Sequence, residues 1–329
     1  MTTRVLVTGG AGYIGSIVTE QLIARNRQVV VLDDLSTGHR AAIPEGAQFV
    51  RGGIGDRAAL KEIFGGPPID AIVHLAAFAL VEESVANPDK YRANNVAAAR
   101  VLLDAAVAAG VRRFVFSSSC TVYGVPRAVP IPEDAPMAPM SPYGETKLEF
   151  ERVLGDYAAR HKLSSVSLRY FNAAGASDER GEDHDPESHL IPNVLAVALG
   201  KRAAVDIFGI DYPTPDGTAV RDYIHVDDLA DAHVRALDIP PNGGGAIALN
   251  LGTGQGSSVR QVVDTARRIT GHAIPSTDRP RRAGDPPALV AAPQRAAAVL
   301  GWRPRRSSLD EILGSAWRWH RAHPRGYRT

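Results

Sequence analysis

Tyr143 and Lys147 are the two residues whose types and spacing best suit acid–base chemistry. Ser141 and Pro142, just before them, are typical of an N-cap and a first helical position, and apolar residues at helical spacing continue the pattern to about His161. Residues four apart share one face of a helix, so the phenol and the ammonium are predicted to be neighbours. A free phenol has a pKa of about 10, and nearby positive charges favour the phenolate. The segment therefore predicts a tyrosine that acts as a base, although Tyr-x-x-x-Lys on its own is common by chance.

Three glycines near the start of the chain form a candidate phosphate-binding turn. Gly9, Gly12 and Gly15 follow a short apolar run, Arg4–Thr8, and precede an amphipathic pattern that predicts a helix. The first two allow a tight turn and close backbone approach, and the third lets the helix pack on the strand. Because a helix N-terminus attracts anions, this strand, turn and helix predict a site for a dinucleotide diphosphate.

Asp33 strengthens the dinucleotide prediction. It ends a second apolar run, Val29–Leu32, and lies 18 positions after Gly15. An acidic side chain at about this spacing binds the ribose hydroxyls of the adenosine half. A carboxylate at this place would repel a 2′-phosphate, so the sequence favours NAD over NADP.

The whole chain alternates predicted strands and helices, as a doubly wound parallel sheet requires. Predicted strands span 4–8, 29–32, 48–51, 71–75, 114–116, 166–170, 205–209, 220–226 and 247–251, and predicted helices span 56–64, 89–109, 141–161, 190–199, 227–237 and 259–269. Small or polar residues follow the early strands, at the ends where ligands gather in such sheets: Gly9, Asp33, Ala76, Ser119 and Asn172. We predict an α/β fold with a doubly wound parallel (Rossmann) sheet and a smaller α/β substrate-binding domain. The cofactor domain is expected at 1–177, with a return of the chain around 222–250, and the substrate domain at 178–329.

The composition changes beyond Asn172. Residues 175–188 are rich in Asp, Glu and Gly and are predicted to form a mobile loop. Roughly the last fifty residues are rich in arginine, and we expect them to be mostly solvated surface, with a few arginines available to a pyrophosphate.

Composition and charge exclude several classes of protein. The 329 residues are 44% hydrophobic and 22% charged, with a net charge of +1, so no global field attracts the chain to nucleic acid or to a membrane. No apolar run approaches the roughly 20 residues that a membrane helix needs. Cys120 is the only cysteine, and the N-terminus leads directly into a predicted strand without a signal-peptide pattern. We therefore expect a cytoplasmic protein.

Taken together, the motifs resemble the extended short-chain dehydrogenase/reductase family, and within it the branch that epimerises nucleotide sugars. The resemblance extends from Val5 to about Tyr327, and the Phe208–His225 segment is the part most selective for this branch. The segments that carry it are Thr8–Ser16, Ser117–Gly124, Ser141–Lys147, Arg169–Asn172, Phe208–His225 and Arg281–Asp285.

The resemblance implies a redox cycle that consumes no cofactor. Tyr143, as phenolate, would take the proton from the sugar 4-hydroxyl while NAD takes the C4 hydride. Ser119, with Thr121 assisting, would bond to the same oxygen, and Lys147 would bind the nicotinamide ribose and lower the tyrosine pKa. The 4-keto sugar would then turn over and receive the hydride on its other face. The implied reaction is epimerisation at C4 of a UDP-hexose, UDP-glucose or UDP-galactose.

The resemblance also implies a set of binding residues. Besides the three glycines, NAD contacts fall on Tyr13, Ile14, Asp33, Ser36, Thr37, Ile54, Leu75, Ala76, Ala77, Asn94, Ser119, Tyr143, Lys147 and Phe171. Contacts to the UDP-sugar fall on Thr121, Asn172, His189, Leu190, Phe208, Arg221, Arg282, Asp285 and Leu289. Among these, the two arginines suit a diphosphate, the aspartate suits ribose hydroxyls and the phenylalanine suits the uracil neighbourhood.

The sequence departs from the family pattern at several positions. Many relatives have an aspartate at the position of Gly53, and that aspartate holds the adenine. Many also have a lysine at the position of Ala79. His189 replaces a common asparagine and can still bond to a phosphate or sugar. Leu289 is intermediate between the bulky and the small residues that relatives have there, so UDP-N-acetylhexosamines and UDP-pentoses remain alternative substrates.

Two other functions share parts of this pattern. A nucleotide-sugar 4,6-dehydratase would need an Asp-Glu pair where Ser119 and Cys120 stand, which disfavours elimination. A non-catalytic NAD sensor would not need to retain Ser119, Tyr143 and Lys147 together. The apolar face of 94–109 could form a homodimer contact, as in the family, or could pack on its own sheet.

Overall fold

The computed structural model of the chain describes residues 3–240, 244–282 and 284–328. Ala283, part of the Arg281–Asp285 motif, lies outside the described residues. Strands are β1 (Arg4–Thr8), β2 (Gln28–Asp33), β3 (Gln48–Arg51), β4 (Ala71–His74), β5 (Arg113–Ser119), β6 (Ser164–Tyr170), β7 (Asn172–Ala174), β8 (Val205–Phe208), β9 (Val220–Arg221), β10 (Tyr223–His225), β11 (Gly245–Leu251), β12 (Ser257–Ser258), β13 (Ser276–Arg279) and β14 (Ala288–Leu289). Helices are α1 (Tyr13–Ala24), α2 (Arg57–Gly65), α3 (Val81–Ala86), α4 (Pro88–Arg92), α5 (Ala99–Ala108), α6 (Pro142–His161), α7 (Leu190–Ala198), α8 (Val226–Ala236), α9 (Val259–Thr270), α10 (Gln294–Leu300) and α11 (Leu309–Ala322).

The chain divides into two compact units. The first contains the chain up to Gly124 together with Met137–Arg169 and Ala230–Leu249, and the second contains Val125–Pro136, Tyr170–Leu229 and the chain from Asn250 onwards. These units differ from the predicted boundaries at 177 and 178. Val125–Pro136 joins the second unit because Ile131 is fully buried there and its N–H donates to Val290 O at 2.8 Å.

The first unit is built on a seven-stranded sheet in the order β11-β6-β5-β4-β1-β2-β3. β1 lies parallel to β2 and β4, and the pairs β2–β3 and β4–β5 are parallel too. Every residue of β1 and β4 is buried, which explains their continuous apolar sequence, since helices cover both faces of such a sheet. The predicted α/β doubly wound fold is confirmed.

The core of the first unit is apolar side chains from the sheet and from α2, α5 and α6. Leu6, Ile72, Leu102, Phe114 and Phe150 are among its fully buried members. Burying each such side chain contributes about 1.5–3 kcal/mol. This packing gives the strand ends a rigid base.

Helix α6 begins and ends where the sequence predicts. Ser141 is its N-cap and accepts a hydrogen bond from Gly144 N at 3.2 Å, while Pro142 occupies the first helical position. The chain leaves the helix through Lys162, which has a left-handed φ of 55°. Tyr143 therefore lies in the first turn, at the positive end of the helix dipole.

The helix predicted at 89–109 is present but is not uniform. It consists of α4, a wider π-helical turn at Ala93–Ala98, and α5. Such turns reorient side chains within a helix and are frequent at functional sites. Asn94 and Asn95 lie in this turn.

The second unit has several small sheets around its own core. β7 pairs with β10, β9 lies between β12 and β14, and β8 pairs with β13. The strand predicted at 220–226 is divided into β9 and β10 at Asp222, whose carboxylate accepts bonds from Thr253 N and Gly254 N. Val194, Leu195, Val262 and Ile312 form the centre of the core between α7, α9 and α11.

The arginine-rich C-terminal part has the solvated surface that the sequence predicts, and it also has an apolar face that the sequence analysis did not anticipate. Two helices, α10 and α11, lie in this arginine-rich part, and Ile312, Leu313 and Trp319 of α11 are buried. Ser308 caps α11 by accepting a hydrogen bond from Glu311 N at 3.2 Å. The arginines occupy the exposed positions of an amphipathic pattern, so their number concealed the apolar face.

Among the helices of the described residues, none is long and apolar enough to cross a membrane.

Candidate active site

Ser119 and Thr121 lie at the carboxyl end of β5, in the first unit. Ser119 is 6% exposed, and its Oγ accepts hydrogen bonds from Thr121 N at 3.2 Å and from Thr121 Oγ1 at 3.0 Å. With two donors on this oxygen, the Ser119 hydroxyl keeps its own proton for another acceptor. It can therefore donate to an oxygen that gains negative charge.

Tyr143 and Lys147 lie on one face at the start of α6, as the sequence predicts. Lys147 Nζ is 5.6 Å from the centre of the Tyr143 ring and donates to Ser117 O at 2.7 Å. Lys147 is only 3% exposed, and its ammonium also lies 4.9 Å from the centre of the Phe116 ring. Ser117 O uses one of the three ammonium donors, so further donors remain for a ligand.

The charge state of Lys147 responds to its surroundings. Burial lowers the pKa of this lysine to about 7, although Glu151 works in the opposite direction. His74 is neutral, because burial and the Lys147 charge lower its pKa to about 3. A negative charge on Tyr143 would favour the ammonium form of Lys147, and the ammonium would equally favour the phenolate. The two groups therefore stabilise each other's charged form.

Buried polar contacts hold the end of β5 in place. Ser117 Oγ is 2.7 Å from His233 Nε2, and Ser118 Oγ donates to Glu151. Arg169 holds the same carboxylate through two hydrogen bonds of 2.9 and 2.6 Å. These bonds fix the Ser117 carbonyl that orients Lys147.

The glycine turn between β1 and α1 is tightly built. Gly9 has a φ of 73°, and a Cβ atom there would lie 2.6 Å from Ala76 N. A Cβ atom on Gly15 would lie 2.1 Å from Gly9 O, so neither position accepts a side chain. Gly12 is the N-cap of α1 and offers no side chain to the N–H groups of the first turn. An anion suits these donors, so the turn fits a diphosphate.

Asp33 ends β2 beside this turn. It is 8% exposed, and its two carboxylate oxygens accept hydrogen bonds from Ala11 N at 3.0 Å and from Leu35 N at 2.9 Å. Burial raises the pKa of Asp33, and these two bonds act in the opposite direction. Each oxygen retains acceptor capacity, so the carboxylate fits ribose hydroxyls.

The other cofactor residues predicted in the first unit surround the same strand ends. Leu75 N and Ala76 N donate to Thr8 O at 3.0 and 3.1 Å, which joins the chain after β4 to the end of β1. Ile54 is 3% exposed, and its side chain packs in the apolar core of the first unit. The remaining members are Tyr13, which is buried, Ile14, Ala77 and Asn94, which are half-buried, and Ser36 and Thr37, which are exposed.

Asn95 positions this part of the structure, and the sequence reasoning missed it. Its side chain accepts from Phe78 N at 2.9 Å and donates to Phe78 O at 3.0 Å and to Thr146 Oγ1 at 3.2 Å. It therefore joins the chain after β4 to α6. The signal was an asparagine in a helical pattern, where it is unfavourable without tertiary bonds.

In the second unit, several of the predicted sugar-nucleotide residues come together. Arg221 forms an ion pair with Asp285, and β9 and β14 place Leu289 directly beside Arg221. The Arg282 guanidinium lies 4.2 Å from the centre of the Phe208 ring. The unit thus combines two arginines, a carboxylate and an aromatic ring, as a nucleoside diphosphate requires.

The remaining predicted residues of the second unit lie in or directly before the first residues of β7 and α7. Phe171 is buried, and Asn172 begins β7, where its N–H donates to Asp222 O at 3.0 Å. His189 and Leu190 begin α7, and His189 Nδ1 lies 2.9 Å from Glu182 Oε1 and 2.8 Å from Glu187 Oε1. Burial opposes the charged imidazole, but these two carboxylates raise the pKa of His189 well above its ordinary value. The two carboxylates therefore favour the charged form of this imidazole.

Comparison with known proteins gives consistent results. The sequence profile of the NAD dependent epimerase/dehydratase family matches residues 5–252. A UDP-glucose 4-epimerase of Streptomyces lividans is 51% identical over 328 residues, which are 99% of this chain and 99% of that protein. The crystal structure of UDP-glucose 4-epimerase from Brucella ovis in complex with NAD is 48% identical, with a TM-score of 0.93, and the alignment covers 96% of this chain and 98% of that one. The enzyme from Bifidobacterium longum in complex with NAD⁺ and UDP is 37% identical, with a TM-score of 0.93 and coverage of 98% and 100%.

Proposed function

Because the chain belongs to the NAD dependent epimerase/dehydratase family, we propose that it interconverts UDP-glucose and UDP-galactose by NAD-dependent epimerisation at C4. The observation that carries the proposal is the group of Ser119, Tyr143 and Lys147, where the end of β5 meets the start of α6. Relatives named UDP-glucose 4-epimerase that align over nearly the whole chain support the same reaction.

The first unit provides the residues that would hold NAD. The glycine turn receives the diphosphate, and Asp33 receives the ribose hydroxyls of the adenosine half. The chemistry that NAD supplies when bound is reversible acceptance of a hydride from the sugar. NAD in the Brucella ovis and Bifidobacterium longum structures supports this assignment.

The acid–base steps belong to three side chains. Tyr143 exchanges a proton with the sugar 4-hydroxyl, and Ser119 donates a hydrogen bond to the same oxygen. Lys147 favours the phenolate and binds the nicotinamide ribose through donors that Ser117 leaves unused. The proton moves back to the sugar from Tyr143 when the 4-keto sugar is reduced, so the reaction has no net redox change.

The second unit provides the residues that would hold the UDP-sugar. Arg221 and Arg282 suit the diphosphate, Asp285 the ribose and Phe208 the uracil neighbourhood. Thr121, Asn172, His189, Leu190 and Leu289 complete the proposed set. UDP in the Bifidobacterium longum structure supports a uridine nucleotide as substrate.

The expected homodimer and cytoplasmic location stay predictions.

The experiment that tests the proposal compares four nucleotide sugars. Purified protein is incubated separately with UDP-glucose, UDP-galactose, UDP-N-acetylglucosamine and UDP-xylose, while products are separated by chromatography and NADH absorbance is followed. We expect the first two to interconvert without net NADH. A 4-keto product, net NADH or no reaction with any sugar would refute the proposal. Conversion of the N-acetylated sugar would show that Leu289 admits the larger group.

A further inference from the structure

The turn after β3 lacks a side chain at Gly53, and the carboxylate of Asp34 lies beside this position. A Cβ atom built on Gly53 would lie 4.0 Å from Asp34 Oδ2. Asp34 follows β2, whereas Gly53 follows β3, which is the next strand of the sheet. The carboxylate thus reaches from the end of one strand towards the end of the next.

Asp34 is held in this direction. Its Oδ1 accepts a hydrogen bond from Ser36 N at 2.8 Å, whereas Oδ2 accepts none from the described residues. Asp33 faces the other way, since one of its oxygens accepts a hydrogen bond from Ala11 N in the glycine turn. The two consecutive carboxylates therefore serve different sides of β2, with Asp34 on the side of β3.

The direction of the cofactor then places the adenine. If the diphosphate binds at the glycine turn and the ribose at Asp33, the adenine extends away from β1, over the ends of β2 and β3. This step rests on the proposed function, because it takes NAD as the dinucleotide. The open space over Gly53 and the unused Asp34 Oδ2 lie on this side of β2.

We propose that Asp34 recognises the adenine by accepting a hydrogen bond from its exocyclic amine. The amine is a donor, and a carboxylate oxygen is an acceptor only, so the pair is complementary. A carboxylate accepts more strongly than a neutral group. Asp34 thereby takes the place that an acidic side chain at position 53 would otherwise have.

The test uses a dinucleotide that lacks this donor. Nicotinamide hypoxanthine dinucleotide has a carbonyl oxygen where NAD has the amine, and the rest of the molecule outside the base is unchanged. Dissociation constants of both are measured by calorimetry on nucleotide-free protein. We expect the wild type to bind NAD about tenfold or more tightly than the analogue, as for one charged hydrogen bond.

Two variants make the test specific to Asp34. Asp34→Asn preserves the acceptor for Ser36 N but offers an amide that can donate to the carbonyl oxygen, so we expect the preference for NAD to fall below about threefold. Gly53→Asp in the same background should restore the preference, since the space at Gly53 accepts a side chain without close contact. Glu45→Gln, which changes an exposed acid of the first unit by the same charge, should leave the preference unchanged.

Two results would overturn the inference. Equal affinity of the wild type for both dinucleotides would show that the amine is not recognised. An equal loss of affinity for both in Asp34→Asn would show that Asp34 contacts the ribose instead. The proposed function fails separately, if neither dinucleotide binds or if NAD binds without epimerisation.

Discussion

At the scale of single residues, the proposed chemistry depends on a lysine held in an unfavourable environment. Lys147 is almost fully buried, and burial lowers its pKa to about 7. An ammonium that is poorly solvated gains more from a neighbouring anion than an exposed one, because the local dielectric is low. Burial of Lys147 therefore costs folding free energy, but it gives Tyr143 a neighbouring ammonium that favours the phenolate form.

Removing the phenol oxygen of Tyr143 separates catalysis from cofactor binding. We expect Tyr143→Phe to lower kcat by about 1,000-fold, because general acid–base catalysis contributes about 100- to 10,000-fold. Its NAD dissociation constant should change by less than about threefold, as measured by calorimetry. Tyr157→Phe is the matched control, since it removes a phenol oxygen from the same helix, where that oxygen donates to Asp104. An undiminished rate in Tyr143→Phe would contradict its role as base.

The buried lysine also predicts how stability depends on pH. The pKa of Lys147 is about 7 in the folded protein and 10.5 ordinarily, so the unfolded chain binds more protons between these values. The free energy of unfolding of the wild type therefore rises with pH across this window. Lys147→Met has no titrating group at this position, so its free energy of unfolding does not rise in this way. The difference between the variant and the wild type should therefore grow by about 3 kcal/mol, in favour of the wild type, between pH 7 and 10.

Urea denaturation of nucleotide-free protein at several pH values measures this difference. Lys61→Met, which replaces an exposed lysine of α2, should show a constant difference from the wild type over the same range. A constant difference for Lys147→Met as well would mean that the buried lysine has an ordinary pKa.

At the scale of elements, the site depends on the connection between α6 and the chain after β4. Ser141 caps the helix that carries Tyr143, and Asn95 joins Thr146 of this helix to both backbone groups of Phe78. A hydrogen-bonding side chain inside a π-helical turn is what brings these elements together. Tyr143 and Lys147, the proposed catalytic pair, are thus positioned by residues that need not contact the substrate.

Asn95→Ala tests this connection. The variant loses all four of these side-chain hydrogen bonds, one of them donated by Asn94 Nδ2, and the half-buried Phe78 backbone loses its partner, so the free energy of unfolding should fall by about 2 kcal/mol. We also expect kcat to fall, because the start of α6 loses its tie to the chain after β4. Asn87→Ala is the control, since Asn87 is exposed and its side chain caps no helix. Equal stability of both variants in urea would contradict the positioning role.

At the scale of the whole molecule, Lys147 in the first unit and His184 in the second change the free energy of unfolding with pH in opposite directions. In the second unit, burial opposes the charged form of His184, but hydrogen bonds to Glu182 and Glu187 raise its pKa to about 9. A histidine with a raised pKa stabilises the folded state below its ordinary pKa of 6.5, and this contribution is lost as pH rises through 9. The contribution of Lys147 to the free energy of unfolding changes with pH in the opposite direction. The two contributions would therefore partly cancel in a plot of wild-type stability against pH.

Glu182→Gln reveals the histidine contribution. We expect this variant to be less stable than the wild type by about 2 kcal/mol at pH 6.5, because it leaves His184 and His189 with only Glu187 as a carboxylate partner. The difference should shrink as pH approaches 10. Glu179→Gln, at an exposed position of the same segment, should match the wild type at every pH. Thermal unfolding at several pH values across this range measures the difference in stability between Glu182→Gln and the wild type. A difference that stays constant with pH would refute the expectation.

The sequence by itself determined the sheet-and-helix order and the parts of the site that depend on neighbouring residues. The glycine turn could be predicted because strand, turn and helix follow one another directly within residues 4–24. Tyr143 and Lys147 could be paired because helical periodicity brings residues four apart together. Asp33 could be predicted as a ribose-binding residue because parallel strands end at one edge of the sheet. Each inference needed only local geometry and the regular order of a doubly wound fold.

Tertiary structure decided what depends on contacts between distant segments. The carboxylate beside Gly53 comes from Asp34, because the sheet order makes β3 the neighbour of β2. The ion pair of Arg221 and Asp285 joins residues 64 positions apart. Burial decided the pKa of Lys147, and the packing of α11 decided that its arginine-rich sequence has a buried face. Composition and spacing do not contain these properties, because they arise only when the folded chain removes particular side chains from water.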